Sequence, residues 1–139
     1  MAQYWLLKSE PDTYSFDDLL KDGKTSWDGV RNYQARNFIS EMAPGDLALF
    51  YHSVSEKSVV GIMKVATKAY PDIDPNRNGS WGKIDVTPVE KLRSPVNLKS
   101  IKADPKLQEI ALIRHSRLSV MPLKKIEFDR IISMGKSDQ

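Results

Sequence analysis

The sequence contains no cysteine and only two histidines, His52 and His115. The first absence excludes a disulfide framework, thiol catalysis and a zinc ribbon, and the second excludes a multi-histidine metal centre. Glycine is sparse, at 7 of 139 residues, and neither a P-loop nor a dinucleotide fingerprint occurs. No apolar run approaches the length of a membrane span. The opening residues, MAQYWLLKSEP, carry no basic stretch ahead of an apolar core, so no signal peptide and a cytoplasmic location are expected. A G-x-S-x-G elbow is also missing. His52 and Ser53 are neighbours in a predicted strand, where consecutive side chains point to opposite faces, so they make a poor base and nucleophile. Asp72-Ile73-Asp74 opens like a calcium loop, but Arg77 stands where the sixth-position glycine belongs and Lys83 where the twelfth-position acid belongs.

What remains is an ordinary soluble composition, 40% hydrophobic and 28% charged, at a length expected for one domain over 1–139. The net charge of +3 is unevenly placed. Residues 1–89 hold 10 basic and 12 acidic side chains, and residues 90–139 hold 11 and 6. From Lys91 to Ala103 there are four bases and no acid. Such asymmetry is compatible with a polyanionic partner and equally with a solvated basic edge.

Pattern and punctuation predict strands over 4–8, 47–53, 59–68, 81–89 and 117–120. In 59–68 both alternating faces are apolar, as in a strand covered on both sides. Pro88 demands an edge or a bulge. Ser15-Phe16-Asp17-Asp18 is a capping box for a helix over 16–21 that stops near Gly23. Further helices are predicted over 32–42, at 98–103, from the Asp104-Pro105 cap to Leu112, and from Pro122 to Gly135 with Leu123, Ile126 and Met134 buried. The segment 70–79 (YPDIDPNRNG) reads as loop. Strands that do not alternate regularly with helices argue for an α+β fold, a small bent sheet or barrel with helices at its ends.

Four stretches set hydrogen-bonding side chains beside an aromatic ring or an arginine: Lys8-Ser9-Glu10-Pro11, Trp27 to Asn37, Tyr51-His52-Ser53 and Arg114 to Ser119. A planar heterocycle is held by an aromatic face and by edge hydrogen bonds. Trp27 and Tyr33 are candidate faces, and Ser9, Asn37 and Ser119 candidate edges. Arg31, Arg36 and Arg117 are candidate phosphate contacts, with Lys99 and Lys102 from the basic run. Each has a plainer reading. Trp27 serves equally as a core anchor, Arg31 and Arg36 as exposed helix charges, and the two histidines as hydrogen-bonded structural residues.

In order and spacing, YWLLKSEP (4–11), WDGVRNYQARNFI (27–39), GDLALFYHS (45–53), GIMKV (61–65), YPD (70–72) and SRLSVMPL (116–123) resemble the EVE domain of the PUA-like superfamily. The resemblance implies a bent β-barrel of about five strands flanked by short helices, related to PUA, ASCH and YTH domains. It implies a reader of a modified base in DNA or RNA, a modified cytosine or adenine flipped into an aromatic and polar pocket. By carry-over that pocket holds Lys8, Ser9, Trp27, Tyr33, Asn37, Tyr51, His52, Ser53, Arg117 and Ser119. No cofactor is implied; the expected partner is modified nucleic acid rather than a membrane, and a monomer is expected. ASCH relatives include enzymes acting on modified nucleosides, so an amidohydrolase-like enzyme stays open, as does a small-molecule sensor.

Overall fold

A computed structural model describes residues 3–27, 33–54, 56–72, 81–115 and 117–136. The strands are β1 (Tyr4–Ser9), β2 (Thr25–Trp27), β3 (Leu47–His52), β4 (Ser58–Val65), β5 (Tyr70–Asp72), β6 (Trp81–Asn97) and β7 (Val120–Leu123). The helices are α1 (Phe16–Asp22), α2 (Tyr33–Glu41), α3 (Leu98–Ala103), α4 (Ala111–Arg114) and α5 (Lys125–Lys136), with a 3-10 turn at Pro105–Leu107. The sheet runs β2-β6-β4-β3-β1-β7, with β5 also paired to β6. β1 and β3 are parallel and every other pairing is antiparallel. The result is the mixed, curled sheet with a few helices expected of a PUA-like fold.

The curl is written into β6. Its 17 residues pair with β2, β4 and β5. Ile62 faces Glu90 while Met63 faces Pro88, so Val89 is extra at the proline. Val59 faces Val96 while Gly61 faces Lys91, so Leu92 to Pro95 stand opposite Val60 alone. Proline cannot donate to a ladder, and extra residues bend and twist a strand, so each proline sits where the chain is turning. β4 is buried at every position but Lys64, as a strand apolar on both faces requires.

Helix α1 starts where the capping box placed it. Ser15 Oγ accepts from Asp18 N at 3.1 Å, and Asp18 Oδ2 accepts from Ser15 N at 2.9 Å. Gly23 closes it at φ 77°, a left-handed cap that glycine adopts without cost. Phe16, 1% exposed, lies against the bare backbone of Gly61, where any Cβ would come within 2.5 Å of its ring. Helix α2 packs on β6 and β7, and α5 on β6. Asp46, 3% exposed, is stabilised by three donors: Gln3 N, Trp5 Nε1 and Ala43 N.

Several expectations are corrected. Pro122 lies in β7, not at a helix start; Tyr4 to Leu7 pair with Leu123 to Val120. β7 is an edge strand, where a missing N–H is tolerated. Helix α5 therefore begins at Lys125, and Ile126, expected inside, is 66% exposed, while Phe128 and Ile131 face the core. The helix expected from 104 to 112 is broken. Asp104 caps only the turn at Lys106 N, 2.8 Å, and Gln108 Nε2 donates back to the carbonyls of Lys102 and Asp104. Tyr70–Asp72 is a strand because it pairs with Trp81 to Lys83; residues 73–80 lie outside the described residues. The short edge strand β2 has no alternation to betray it, and β4 ends at Val65, not at residue 68. Among the described residues no helix is long and apolar enough to cross a membrane.

Candidate functional site

The parallel pairing of β1 with β3 sets Lys8 beside Tyr51 and Ser9 beside His52. On the other flank of β1, Lys8 N donates to Ser119 O at 2.9 Å. Past the strand end, Ser53 N donates to Ser9 O at 2.9 Å. Three of the four stretches singled out above are thus joined, backbone to backbone, at one end of the sheet. The Glu10 carbonyl accepts from Thr13 N and Tyr14 N at 2.9 and 2.8 Å, folding the chain back toward α1.

Two hollows open at this end and share Lys8. The first, about 380 Å³, is lined by Trp27, Tyr14, Ser9, Thr13, Thr25, Ser26 and Lys8. It offers two aromatic rings among four hydroxyls. Trp27 is half-buried, and its ring meets Phe50 edge-on, centroids 5.3 Å apart at 84°. It is anchored on the core and also borders the hollow. Ser9 Oγ donates to the Tyr14 carbonyl at 2.6 Å, and Ser26 Oγ donates to Asp85 Oδ1 at 2.8 Å. With its proton committed, Ser9 Oγ presents acceptor lone pairs, while Ser26 Oγ also meets the Tyr70 hydroxyl at 3.2 Å, where either oxygen can donate. Asp85 also accepts from the Tyr70 hydroxyl, and that hydrogen bond is the main cause holding its carboxyl below the usual aspartate value.

The second hollow, about 460 Å³, is a groove. Tyr51, Leu98, Leu112 and Val54 form its apolar walls, and Lys8, Lys57 and Arg117 bring positive charge, with Glu10, Ser53 and Ser119 completing the lining. Both volumes fall in the range of about 300–1,000 Å³ usual for ligand sites. Lys8 Nζ sits 5.8 Å from the Tyr51 ring centroid, within cation–π reach. Burial lowers the Lys8 pKa and pushes the Tyr51 phenol up to about 12, so Tyr51 keeps its proton at neutral pH. Lys57 also borders a neighbouring hollow with Lys99, Lys102, Glu56, Asn97 and Leu98. A basic track therefore runs from Arg117 past Lys8 and Lys57 to Lys99 and Lys102.

The remaining candidates fall elsewhere. His52 lies behind the hollows, 7% exposed. Its Nε2 accepts from Phe16 N at 3.1 Å, which puts the ring proton on Nδ1, 3.1 Å from Glu56 Oε2. Both ring nitrogens serve to hold α1 and the β3–β4 turn. Asn37 is exposed on α2, its carbonyl accepting from Ser40 Oγ, and among the described residues it borders neither hollow. Arg36 is half-buried on the same helix. Arg31 and the side chain of Tyr33 lie outside what is described. Tyr14, Thr25 and Ser26 were missed because nothing in their local pattern distinguishes them. Lys57, Leu98 and Leu112 were missed because only folding brings them to the end of β1.

The sequence profile of the EVE domain family matches residues 3–134. Human thymocyte nuclear protein 1 is 34% identical over 171 aligned residues, which span 99% of this chain and 76% of that protein. The crystal structure of human THYN1 in complex with DNA containing 5-methylcytosine superposes with a TM-score of 0.92 at 33% identity, covering 99% of this chain and 100% of that one. A crystal structure of a protein from Agrobacterium tumefaciens gives 0.92 at 40% identity, over 96% and 93% of the two chains. The YTH domain of Zygosaccharomyces rouxii MRB1, in complex with N6-methyladenosine RNA, shares the fold at 0.61 and 16% identity, over 99% and 89%.

Proposed function

The chain belongs to the EVE domain family, and we propose that it binds nucleic acid through a modified base, a cytosine or an adenine, turned out of the strand into the hollow bordered by Trp27 and Tyr14. The observation that carries this reading is the meeting of the Lys8-Ser9, Tyr51-to-Ser53 and Ser119 segments at one sheet end, beside an aromatic hollow and a basic groove. Human THYN1, at 33% identity over 99% of this chain, is a relative with DNA carrying 5-methylcytosine.

Each part has a task. The Trp27 face stacks on the base, which needs no particular sequence because every base has a π-face. The acceptor oxygen of Ser9 suits an exocyclic amino group, which cytosine and adenine carry and thymine and uracil lack. Ser119 and Ser53 supply further polar contacts where the base enters. Lys8, Arg117, Lys57, Lys99 and Lys102 take the phosphates, a contact that holds the strand without reading it. Arg31, Tyr33, Arg36 and Asn37 enter the proposal on the family resemblance alone.

The test is a binding panel of oligonucleotides, DNA and RNA, bearing methylated or oxidised cytosines and methylated adenines, with product analysis by mass spectrometry on the same samples. Preferential binding of one modified base without conversion supports the reader. Turnover of a modified nucleoside supports the enzyme, and binding of a free small molecule with no preference among oligonucleotides supports the sensor.

A further inference from the structure

The turn between β3 and β4 carries two residues of unusual conformation. Val54 has φ 70° and Lys57 has φ 48°. A β-branched residue in the left-handed region is a genuine outlier, and such strain persists only where the surroundings impose it. Val54 is also among the most exposed large apolar side chains described, at 66%. The described residues before and after it are held: Ser53 N donates to Ser9 O, Leu98 N to Lys57 O at 2.8 Å, Ser58 Oγ to Glu56 O at 3.1 Å, and Glu56 meets the buried His52. Val54 borders the same groove as Lys8, Lys57 and Arg117, next to the hollow proposed above for the base. A short, branched, apolar side chain is thus presented in a groove whose charged lining is three cations and Glu10, where phosphates would lie.

Turning one base out of a double helix leaves a gap in the stack and a partner base without its pair. An apolar side chain inserted at that level restores contact with the flanking bases and keeps the extruded base from returning. A single strand has no such gap. We propose, resting on the base-binding reading above, that Val54 is an apolar wedge that enters a double helix at the vacated position, so that this protein reads its modified base in duplex nucleic acid. Lys57 and Arg117, which border the same groove, then take phosphates of the strand beside the wedge.

The experiment compares the wild type with Val54→Gly and Val54→Ile on one DNA oligonucleotide carrying a single 5-methylcytosine, used single-stranded and annealed to its complement. Val54→Gly weakens duplex binding by roughly 10-fold or more, while single-strand binding stays within roughly twofold. Val54→Ile keeps duplex affinity near wild type. Glycine accepts φ 70° freely, so the melting temperature of Val54→Gly does not fall, and loss of fold cannot imitate the result. Equal loss on both forms, or no loss on either, overturns the wedge. A wild type that binds every modified oligonucleotide of the panel above no better than its unmodified counterpart defeats the base-binding reading instead, and that control involves no variant.

Discussion

Replacing Trp27 by alanine separates a stacking surface from a structural anchor. In the structure the ring does both things: it borders the aromatic hollow, and its edge contact with Phe50 at 5.3 Å ties β2 to the core. Base–aromatic stacking is worth about 1–3 kcal/mol on alanine substitution. At about 1.4 kcal/mol per tenfold, Trp27→Ala weakens binding of the preferred modified base by about 5- to 150-fold. Loss on the unmodified oligonucleotide is smaller, because phosphate contacts dominate there. The same change removes an aromatic pair worth about 0.5–1.5 kcal/mol beyond area burial, so the melting temperature falls as well. Trp27→Phe keeps a ring at the hollow and serves as the control, holding most of the preference. The assay is fluorescence anisotropy on matched modified and unmodified oligonucleotides at a temperature where thermal melts show every variant folded. Parallel loss on both oligonucleotides, with the ratio unchanged, refutes the stacking role and leaves Trp27 as an anchor.

His52→Ala strands the Phe16 amide without its acceptor and lowers stability by about 1–3 kcal/mol in chemical denaturation, with the base preference of the folded protein unchanged. Gly61→Ala drives a methyl into the Phe16 ring and destabilises by about 1–3 kcal/mol, read by the same titration. Changing Lys99 and Lys102 together to alanine weakens binding to every oligonucleotide; the plot of log K against log salt flattens by about 0.9 for each duplex phosphate no longer neutralised, and preference does not move. The carboxyl of Asp85 is held below 3.8, first by the Tyr70 hydroxyl and also by Ser26. Its contribution is therefore complete above that value and disappears as pH falls through the lower folded value. Asp85→Asn accordingly loses less stability than wild type on acidification, measured by thermal melts down a pH series.

Local sequence carried the elements whose signal is local. The Ser15 capping box and Gly23 delimit α1 because both act through backbone groups within one turn. The apolar pattern of β4 reports burial on both faces because alternate side chains point to opposite sides of a sheet and both sides are covered at this strand. Charge asymmetry pointed to Lys99 and Lys102, which do border the basic track. Family-like motifs supplied the architecture and the idea of one site, which periodicity alone could not choose. Decisions that depend on partners distant in the chain were illegible. Pro122 reads as a helix start in isolation, and only the neighbouring β1 makes its segment an edge strand. His52 reads equally as a site residue and as a structural one, and only the folding of α1 over it brings the Phe16 amide to its Nε2. Lys57 reaches the end of β1 from the turn after β3, and Leu98 and Leu112 reach it from the chain beyond β6. A propensity is a property of a few consecutive residues, whereas a binding surface is a property of which strand ends the sheet brings side by side.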